Sequence, residues 1–594
     1  MSKHVVLVGP EIEENLSLRY LMASLEAAGH RSTLVRYDHV SQLSAVTAAI
    51  VHAKAELIGL SMVFTQRARD FIALAKALRE AGVSTHITAG GHFASFNAKA
   101  LLEDVDAIDS VILHEGERRI VKLVESLAEP SSIDGIAYRT QDGSVKLQAP
   151  LEPILELDAL PPPVHAPQAV RILGIPASYL VSSRGCYASC AYCCIHAWHK
   201  SAPGPRLRMR SVESVADEMQ SLHRRQGTRI FFFQDDNFFP RNRPLERLEA
   251  LEGAIRQRID GPIAIGVKAR PEDITPQSRE RLASLGVYRV FMGVDSFDDQ
   301  GLRFLDRQVS AAQLISAVDL LRERDMLSSY NLQLFYPDVQ LDELRHNLDA
   351  VRQRLEVPMN FTRTAIYSGT KLEKRLAAQG RLRGNYLGLS YTLADPQMET
   401  LFHLLAKPFH HRNFNPRGLH RLADHLDNDS RLLDFFHPNS RSDRLRDEVR
   451  GFVAEVNSDT LQHLEFAMLA LGDAQHVELA EQTLSARIAA RDALLEAKAK
   501  RLRARLRIEE QARKPSKLGH SVAAAAAALL LSAPLAACDD DDDDEPEFET
   551  HYDPAFDWEE DVKDGSDLEP EMHGDPAPDW EELPEIHGDP APDW

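Results

Sequence analysis

Short apolar runs alternate with helical patterns along the first 145 residues. Five runs followed by polar or glycine turns are typical of buried strands: HVVLVG, STLVRY, LIGLSM, THITAGG and SVILHEG. Between them, segments such as LRYLMASLEAAG and ARDFIALAKALREAG repeat apolar residues at helical spacing. Alternating strands and helices predict a parallel, doubly wound α/β sheet, with any ligand at the carboxyl ends of its strands.

A second strand and helix series follows the proline-rich stretch 161–167. Its strand-like runs are SYLVSSRG, RIFFFQDD, IAIGVKAR, YRVFMGVD, SYNLQLFYP and NFTRTAIY. This order predicts a partial (β/α) barrel with its site at the C-terminal mouth of the strands. Helical periodicity then dominates residues 396–515, and ARIAARDALLEAKAKRLRARLRIEEQ predicts a long exposed or coiled helix.

Four of the five cysteines lie within nine residues, in SSRGCYASCAYCC. Three of them have the spacing C-x-x-x-C-x-x-C: Cys186, Cys190 and Cys193. Three thiolates on one loop suit an iron–sulfur cluster, in which one iron stays open to substrate, or zinc. Structural zinc needs a fourth ligand, for which His196 or His199 is available. Cys194 has no place in the spacing and is expected to be a packed thiol. Such clustering excludes a disulfide framework and predicts a reducing cytosol.

The cysteine run, with Arg184-Gly185 before it and Tyr192 within it, resembles the radical S-adenosylmethionine (SAM) superfamily. Further landmarks follow in the order of that family: Gln234-Asp235-Asp236, Arg270, Gly293-Val294-Asp295-Ser296 and Gly369-Thr370. The resemblance implies a four-iron four-sulfur cluster on Cys186, Cys190 and Cys193. It also implies that Gln234, Asp235 and Asp236 contact the methionine amino group of SAM. Arg270, Asp295 and Ser296 fall where its ribose or carboxylate is usually bound. No residue is assigned as catalytic.

Three turns at strand ends of the first sheet carry small residues, namely Ser61, Gly90-Gly91 and Gly116. Glycine at such turns either admits a ligand close to the backbone or simply makes the turn tight. In this order, and followed by IDGIAYR and LDALPPPV, the turns resemble the cobalamin-binding domain that precedes many radical SAM domains. The D-x-H-x-x-G motif is absent, since neither Asp38-His39 nor His92 fits it. Either cobalamin binds without a lower histidine, or the domain is a relic that no longer binds it.

The combination is similar to the group of the anaerobic magnesium-protoporphyrin monomethyl ester cyclase and the cobalamin-dependent radical SAM methyltransferases. The resemblance implies an enzyme that reductively cleaves SAM to a 5′-deoxyadenosyl radical and either transfers a methyl group or closes a ring by oxidation. It also implies a small-molecule or peptide substrate and an electron donor such as flavodoxin or ferredoxin. The alternative is a membrane-tethered cobalamin- or metal-binding protein with an inactive radical SAM domain.

The formal net charge of −22 is concentrated at the C-terminus. Residues 539–594 contain 25 Asp or Glu against one Lys, leaving 65 acidic and 67 basic residues elsewhere. The near-neutral body predicts no nucleic-acid binding. The acidic tail repeats H-x-D-P-A-x-D-W three times, and this composition predicts disorder. The tail is either solubilising or a substrate-like peptide fused to the enzyme.

Between helices and tail lies SVAAAAAALLLSAPLAAC, which ends in the lipobox-like Leu535-Ala536-Ala537-Cys538. Its apolar run spans about 24 Å as a helix, less than the hydrocarbon core of roughly 30 Å, so a signal-like segment is favoured over a span. Membrane contact through 522–538 is an open expectation for an otherwise cytoplasmic protein. The predicted order is a cobalamin-binding-like domain (1–145), a linker (146–177), a radical SAM barrel (178–395), a helical region (396–515), the apolar segment (516–538) and the acidic tail (539–594).

Overall fold

The computed structural model describes residues 2–127, 129–149 and 152–511. The apolar segment 522–538 and the acidic repeats lie outside the described residues. The described chain forms an α/β sheet domain, a partial barrel and a helical region in that order. This confirms the predicted fold class.

The N-terminal sheet has seven strands in the order β2-β1-β3-β4-β5-β6-β7. Their bounds are β1 His4–Gly9, β2 Arg31–Arg36, β3 Leu57–Ser61, β4 His86–Gly90, β5 Ser110–Ile112, β6 Ile136–Arg139 and β7 Val145–Leu147. The first five are parallel and coincide with the five apolar runs, whereas β6 and β7 add antiparallel pairs at one edge.

Helices cover both faces of this sheet. They are α1 Leu16–Ala27, α2 Leu43–Ala53, α3 Ala68–Glu80, α4 His92–Phe96, α5 Ala98–Asp104 and α6 Glu117–Glu125. One apolar core contains Ile50 and Phe71, and a second contains Leu25 and Ile120. The sheet is therefore doubly wound. Its register pairs Ser61 with Gly90, so the turns that follow β3 and β4 share one edge.

The barrel is built from six parallel strands. Its elements include β8 Val170–Ile172, β9 Ile175–Leu180, β10 Ser183–Gly185, β11 Leu207–Met209, β12 Ile230–Phe233, β13 Ala264–Ala269, β14 Val287–Met292, β15 Tyr330–Phe335, β16 Met359–Arg363, β17 Leu382–Asn385 and β18 Gly388–Tyr391. Strands β14-β13-β12-β9 are parallel neighbours, β15 pairs with β16, and isolated bridges such as Val290 to Leu327 connect the two groups. Each of the six parallel strands overlaps one predicted run; these strands are β9, β12, β13, β14, β15 and β16.

Helices surround the barrel and continue beyond it. Those of the barrel are α7 Cys194–Lys200, α8 Val212–Gln226, α9 Pro244–Arg256, α10 Pro276–Leu285, α11 Asp299–Phe304, α12 Ala311–Glu323, α13 Leu341–Arg352 and α14 Lys371–Ala378. The helical region comprises α15 Pro396–Phe414, α16 Leu419–Phe436, α17 Ser440–Ala470 and α18 Ala474–Gln511. Along α18, the buried residues Leu484, Ile488, Leu495 and Leu502 follow one another at intervals of four or seven residues. They therefore lie on one side of the helix, and that side packs inward.

Candidate active site between the sheet and the barrel

Two cavities meet where the N-terminal sheet faces the mouth of the barrel. The interdomain cavity, about 280 Å³, is lined by the carboxyl ends of β3 and β4 and by barrel residues that include Arg184 and Gln234. The cysteine cavity, about 70 Å³, lies in the barrel and is lined by Cys186, Cys190 and Cys193. Asp236 lines both cavities. A ligand in one cavity therefore lies next to a ligand in the other.

The cysteine loop begins at a glycine that no other residue can replace without strain. Gly185 has φ +87°, and a Cβ there would lie 2.0 Å from the carbonyl oxygen of Arg206. The Gly185 N–H donates to the Asp236 carboxylate at 2.9 Å. Glycine thus lets the backbone turn under the β11 segment and bring Cys186 to the cavity.

Two buried arginines donate to the thiol sulfur of Cys190. The sulfur lies 3.5 Å from Arg270 Nη1 and 3.3 Å from Arg307 Nη1. Burial raises the pKa of Cys186 to about 11, and the charge of Arg270 opposes that rise. Because iron binds thiolate, the two guanidinium groups favour the form of the cysteines that a cluster needs. Arg307 was not anticipated from the sequence.

Asp295 holds Arg307 in place from a strained backbone position. Its φ is +59°, in the left-handed region that a non-glycine residue seldom adopts. One carboxylate oxygen accepts from Tyr192 at 2.9 Å and contacts Arg307 Nε at 2.7 Å, while the other accepts from Gln333 at 2.8 Å. The surroundings therefore over-determine this conformation, which is typical of functional sites.

Two of the candidate residues, Asp235 and Ser296, line neither cavity. Asp235 lines neither cavity and accepts from the backbone N–H groups of Ser182 and Ser183 at 2.6 and 3.0 Å. Burial raises the pKa of Asp235 to about 6, although these hydrogen bonds oppose the rise. Ser296 also lies outside both cavities, where its hydroxyl accepts from the Asp298 N–H at 3.0 Å. Both residues brace the loops that carry the neighbouring site residues.

The interdomain cavity has an apolar floor and an open glycine, Gly90, at its rim. Ser61, Gly90, Gly91 and Gly116, the residues that the sequence proposes for cobalamin, all line this cavity. A Cβ at Gly90 would meet no protein atom closer than 3.9 Å, so the missing side chain leaves room for a ligand. The floor contains residues from several elements of the sheet domain, namely Leu7, Leu18, Ile112 and Ile120. An apolar floor with exposed backbone at the rim fits the aromatic tail and the amide-fringed ring of cobalamin.

Trp198 of α7 reaches the same cavity from the barrel side. Its ring lies 4.3 Å from that of His92 and 4.7 Å from that of His114, measured between centroids. Burial lowers the pKa of both His92 and His114 to about 4, so these rings are neutral at physiological pH. The sequence pattern had not connected Trp198 with this cavity.

Acidic residues of the β5–α6 turn clamp the barrel to the sheet domain. Glu115 accepts from Arg208 at 2.7 Å and from Arg184 at 3.2 Å, and Glu117 pairs with Arg184 at 2.6 Å. Burial raises the pKa of Glu115, but these arginines outweigh it and bring the pKa to about 2. The Glu115-Gly116-Glu117 motif therefore fixes the domain interface as well as lining the cavity.

The zinc interpretation is not supported by where the histidines lie. His199 lines the interdomain cavity, whereas the cysteines line the other one. His196 lines the cysteine cavity, but its Nδ1 faces Arg206 at 3.1 Å. Cys194 also lines the cysteine cavity, but it packs against Ile195 and Tyr367, as expected for a packed thiol. The other three thiol groups, with cationic donors beside them, fit a four-iron cluster.

Comparisons with known proteins agree with this arrangement. Residues 3–124 match the B12 binding domain, and residues 180–351 match the Radical SAM superfamily. An uncharacterized methyltransferase of Pyrococcus horikoshii is 24% identical over 353 residues, or 58% of this chain and 74% of the relative. An anaerobic magnesium-protoporphyrin IX monomethyl ester cyclase of Rubrivivax gelatinosus is 23% identical over 327 residues, or 52% of this chain and 56% of the relative.

A solved structure shares the fold. OxsB, a cobalamin-dependent S-adenosylmethionine radical enzyme with aqua-cobalamin bound, aligns with a TM-score of 0.58 at 17% identity. The alignment covers 85% of this chain and 84% of that one.

The chain therefore combines a B12-binding domain with a radical SAM domain. It is a radical SAM enzyme of the cobalamin-dependent C-methyltransferase or cyclase class, and its cofactors are a four-iron four-sulfur cluster, SAM and cobalamin. This confirms the resemblance drawn from the sequence.

The membrane-tethered alternative receives no support from the described residues. No helix among residues 2–127, 129–149 and 152–511 is long and apolar enough to cross a membrane. The lipobox-like segment 522–538 lies outside these ranges.

Proposed function

We propose that the enzyme transfers a methyl group to an unactivated carbon of a small organic substrate held between the sheet domain and the barrel. One observation carries this proposal. Asp236 lines both the interdomain cavity and the cysteine cavity, so the two proposed cofactor sites share a wall. Group transfer between cofactors and substrate requires such proximity.

The proposed roles in the cysteine cavity follow from its contacts. Bound there, the cluster and SAM supply a carbon-centred radical, while cobalamin supplies the methyl group from the adjoining cavity. Cys186, Cys190 and Cys193 hold the cluster, and Arg307 offsets the thiolate charge at Cys190. Asp295 orients Arg307.

SAM would lie along the Asp236 side of this cavity. Lys268 lines the same cavity, and its charge opposes the rise that burial causes in the pKa of Asp236. Arg270 lines it as well; its guanidinium pairs with Glu272 at 2.6 Å, and a carboxylate of SAM would share this cation. Gln234 lines the interdomain cavity instead and donates to Glu13 at 3.0 Å, which ties the end of β12 to the sheet domain. Asp235 positions this segment through Ser182 and Ser183.

Cobalamin would bind at Ser61, Gly90, Gly91 and Gly116. The open space at Gly90 and the apolar floor support this assignment. We infer that electrons come from a small donor such as flavodoxin or ferredoxin, because the cluster must be reduced for each SAM cleavage.

Labelled SAM separates the two reaction types. Anaerobically reconstituted protein should receive SAM with a deuterated methyl group, a reductant and a small-molecule extract. Methyl transfer predicts 5′-deoxyadenosine together with a product that carries three deuterium atoms. Oxidative ring closure predicts 5′-deoxyadenosine and an unlabelled product two hydrogens lighter, which would replace the methyl-transfer proposal.

The second candidate substrate is a peptide, because the acidic tail repeats H-x-D-P-A-x-D-W three times. These repeats lie outside the described residues. Intact-mass measurement of the full chain after coexpression with cofactor-loading systems tests it. A mass increase localised to Trp558, Trp580 or Trp594 would assign the tail as substrate. An unmodified tail with active methyl transfer to a small molecule would leave the repeats without that role.

A further inference from the structure

A groove in the helical region has two exposed cationic side chains, Arg417 and Lys500, that form no ion pair within the described residues. It lies between α16 and α18, beside the loop after α15, and has a volume of about 300 Å³. Leu422, Leu426 and Ala499 line it together with charged residues. It is separate from both cavities of the candidate active site.

Two cationic side chains at the rim of this groove are exposed to solvent. Arg417 and Lys500 are exposed, and among the described residues neither side chain forms an ion pair. Arg503 lines the same groove and lowers the pKa of His425 through its charge, an effect smaller than that of burial. The groove therefore presents two exposed cationic side chains, Arg417 and Lys500.

The acidic groups of the groove are largely occupied or buried. Glu496 faces His411 at 3.5 Å. Burial raises the pKa of Asp429 to about 6, and the charge of Arg503 is the strongest of the effects that oppose this rise. Asp429 and Arg503 therefore offset each other. Arg417 and Lys500 have no ion-pair partner within the described residues, and an anionic partner would supply one.

We propose that this groove binds the acidic run Asp539–Glu545 of the same chain. That run contains six aspartates and one glutamate in succession. Helix α18 carries Lys500 and Arg503 and ends at Gln511, so the chain leaves the structure close to the groove. Eight residues of helix separate Arg503 from its end, a distance of about 12 Å.

The length of the connection does not prevent this contact. Residues 512–538 provide 27 residues, and an extended chain spans up to about 3.3 Å per residue. Ion pairs on an exposed rim are individually weak, but several pairs act together, and the covalent connection raises the effective concentration to about millimolar. The complementary charges and the short return path both favour the chain's own segment as occupant.

Zero-length carbodiimide crosslinking of the anaerobically purified full chain tests the proposal. The expected result is a crosslink from Lys500 to the 539–545 run, reduced at least fivefold in 0.5 M NaCl. Lys146, exposed on β7, is the control amine and should give no enriched crosslink to that run. Similar yields at Lys500 and Lys146 would overturn the proposal.

Variants separate groove binding from general charge attraction. R417E should lower the Lys500 crosslink several-fold, whereas R224E, the same change at an exposed position of α8, should leave it unchanged. An equal loss in both variants would contradict the groove as the binding site. Mixing isotopically labelled and unlabelled chains shows whether the groove binds the run of its own chain or that of another copy. Crosslinks found only between chains would exclude binding within one chain.

Discussion

Arg184 of the barrel forms a 2.6 Å ion pair with Glu117 of the sheet domain, and the next residues along the chain are Gly185 and Cys186. Its guanidinium also lies 5.0 Å from the centre of the Tyr20 ring. The residue that precedes the cysteine loop is therefore anchored in the domain that would bind cobalamin. This contact couples the spacing of the two cofactor sites to the domain interface.

Loss of the ion pair between Arg184 and Glu117 should lower the yield of methylated product per SAM cleaved, whereas cluster binding should not change. In Arg184→Gln the iron content should stay unchanged, while the ratio of methylated product to 5′-deoxyadenosine falls on the order of tenfold, the change that 1.4 kcal/mol causes. Quantitative mass spectrometry of both products measures this ratio. Arg171→Gln, on β8, is the control and should behave as the parent. A parallel loss of iron and product would instead indicate damage to the loop.

Arg307 should tune the cluster. The reduced cluster carries one more negative charge, so removal of a buried cation 3.3 Å from Cys190 Sγ should disfavour reduction. Arg307→Gln is expected to lower the midpoint potential by about 60 mV, equivalent to tenfold for one electron. Arg307→Lys, which keeps the charge, should shift it less. Redox titration followed by EPR spectroscopy measures the potential, and an unchanged value in both variants would remove Arg307 from this role.

Gly185 should tolerate no side chain. A Cβ at this position would lie 2.0 Å from a carbonyl oxygen, and its φ of +87° adds strain. Gly143→Ala is a matched control, because Gly143 has φ +84° but no atom within 4 Å of its Cβ position. Gly185→Ala should therefore cost at least about 2 kcal/mol more of unfolding free energy than Gly143→Ala, together with loss of bound iron. Equal destabilisation would show that the contact with Arg206 is not limiting.

His165 should make stability depend on pH. Its ring lies 3.1 Å from Glu14 and 2.9 Å from Glu218, and Arg210 also contacts Glu218. Burial lowers the pKa of His165, but its two glutamate partners raise it to about 9. The folded pKa exceeds the unfolded value of about 6.5, so this stabilisation is complete below pH 6.5 and is lost as pH rises through 9.

Thermal unfolding of the parent and of His165→Gln between pH 6 and 10 measures this effect. The difference in unfolding free energy should be larger at pH 6 than at pH 10 by up to about 3 kcal/mol. A difference that is constant over this range would contradict a protonated His165 in the folded protein.

The sequence was sufficient for the strands and for the cysteine triplet, because both depend on local patterns. Alternating apolar runs identified all six parallel barrel strands, and the order of glycine turns identified the edge that became the interdomain cavity. Arg307 and Trp198 were missed, since their importance arises only when distant segments pack against Cys190 and His92. Asp235 and Ser296 were recognised from their motifs, but the sequence did not predict what their side chains contact. Both side chains accept hydrogen bonds from nearby residues and line neither cavity.

The formation of 5′-deoxyadenosine by the reconstituted full chain tests the central claim most directly. The parent and Cys194→Ala should both bind four irons and cleave SAM, because Cys194 packs against Ile195 and Tyr367. The variant with Cys186, Cys190 and Cys193 all replaced by alanine should do neither. SAM cleavage by this triple variant would contradict the account. So would a parent protein that carries the cluster, receives reductant and does not cleave SAM.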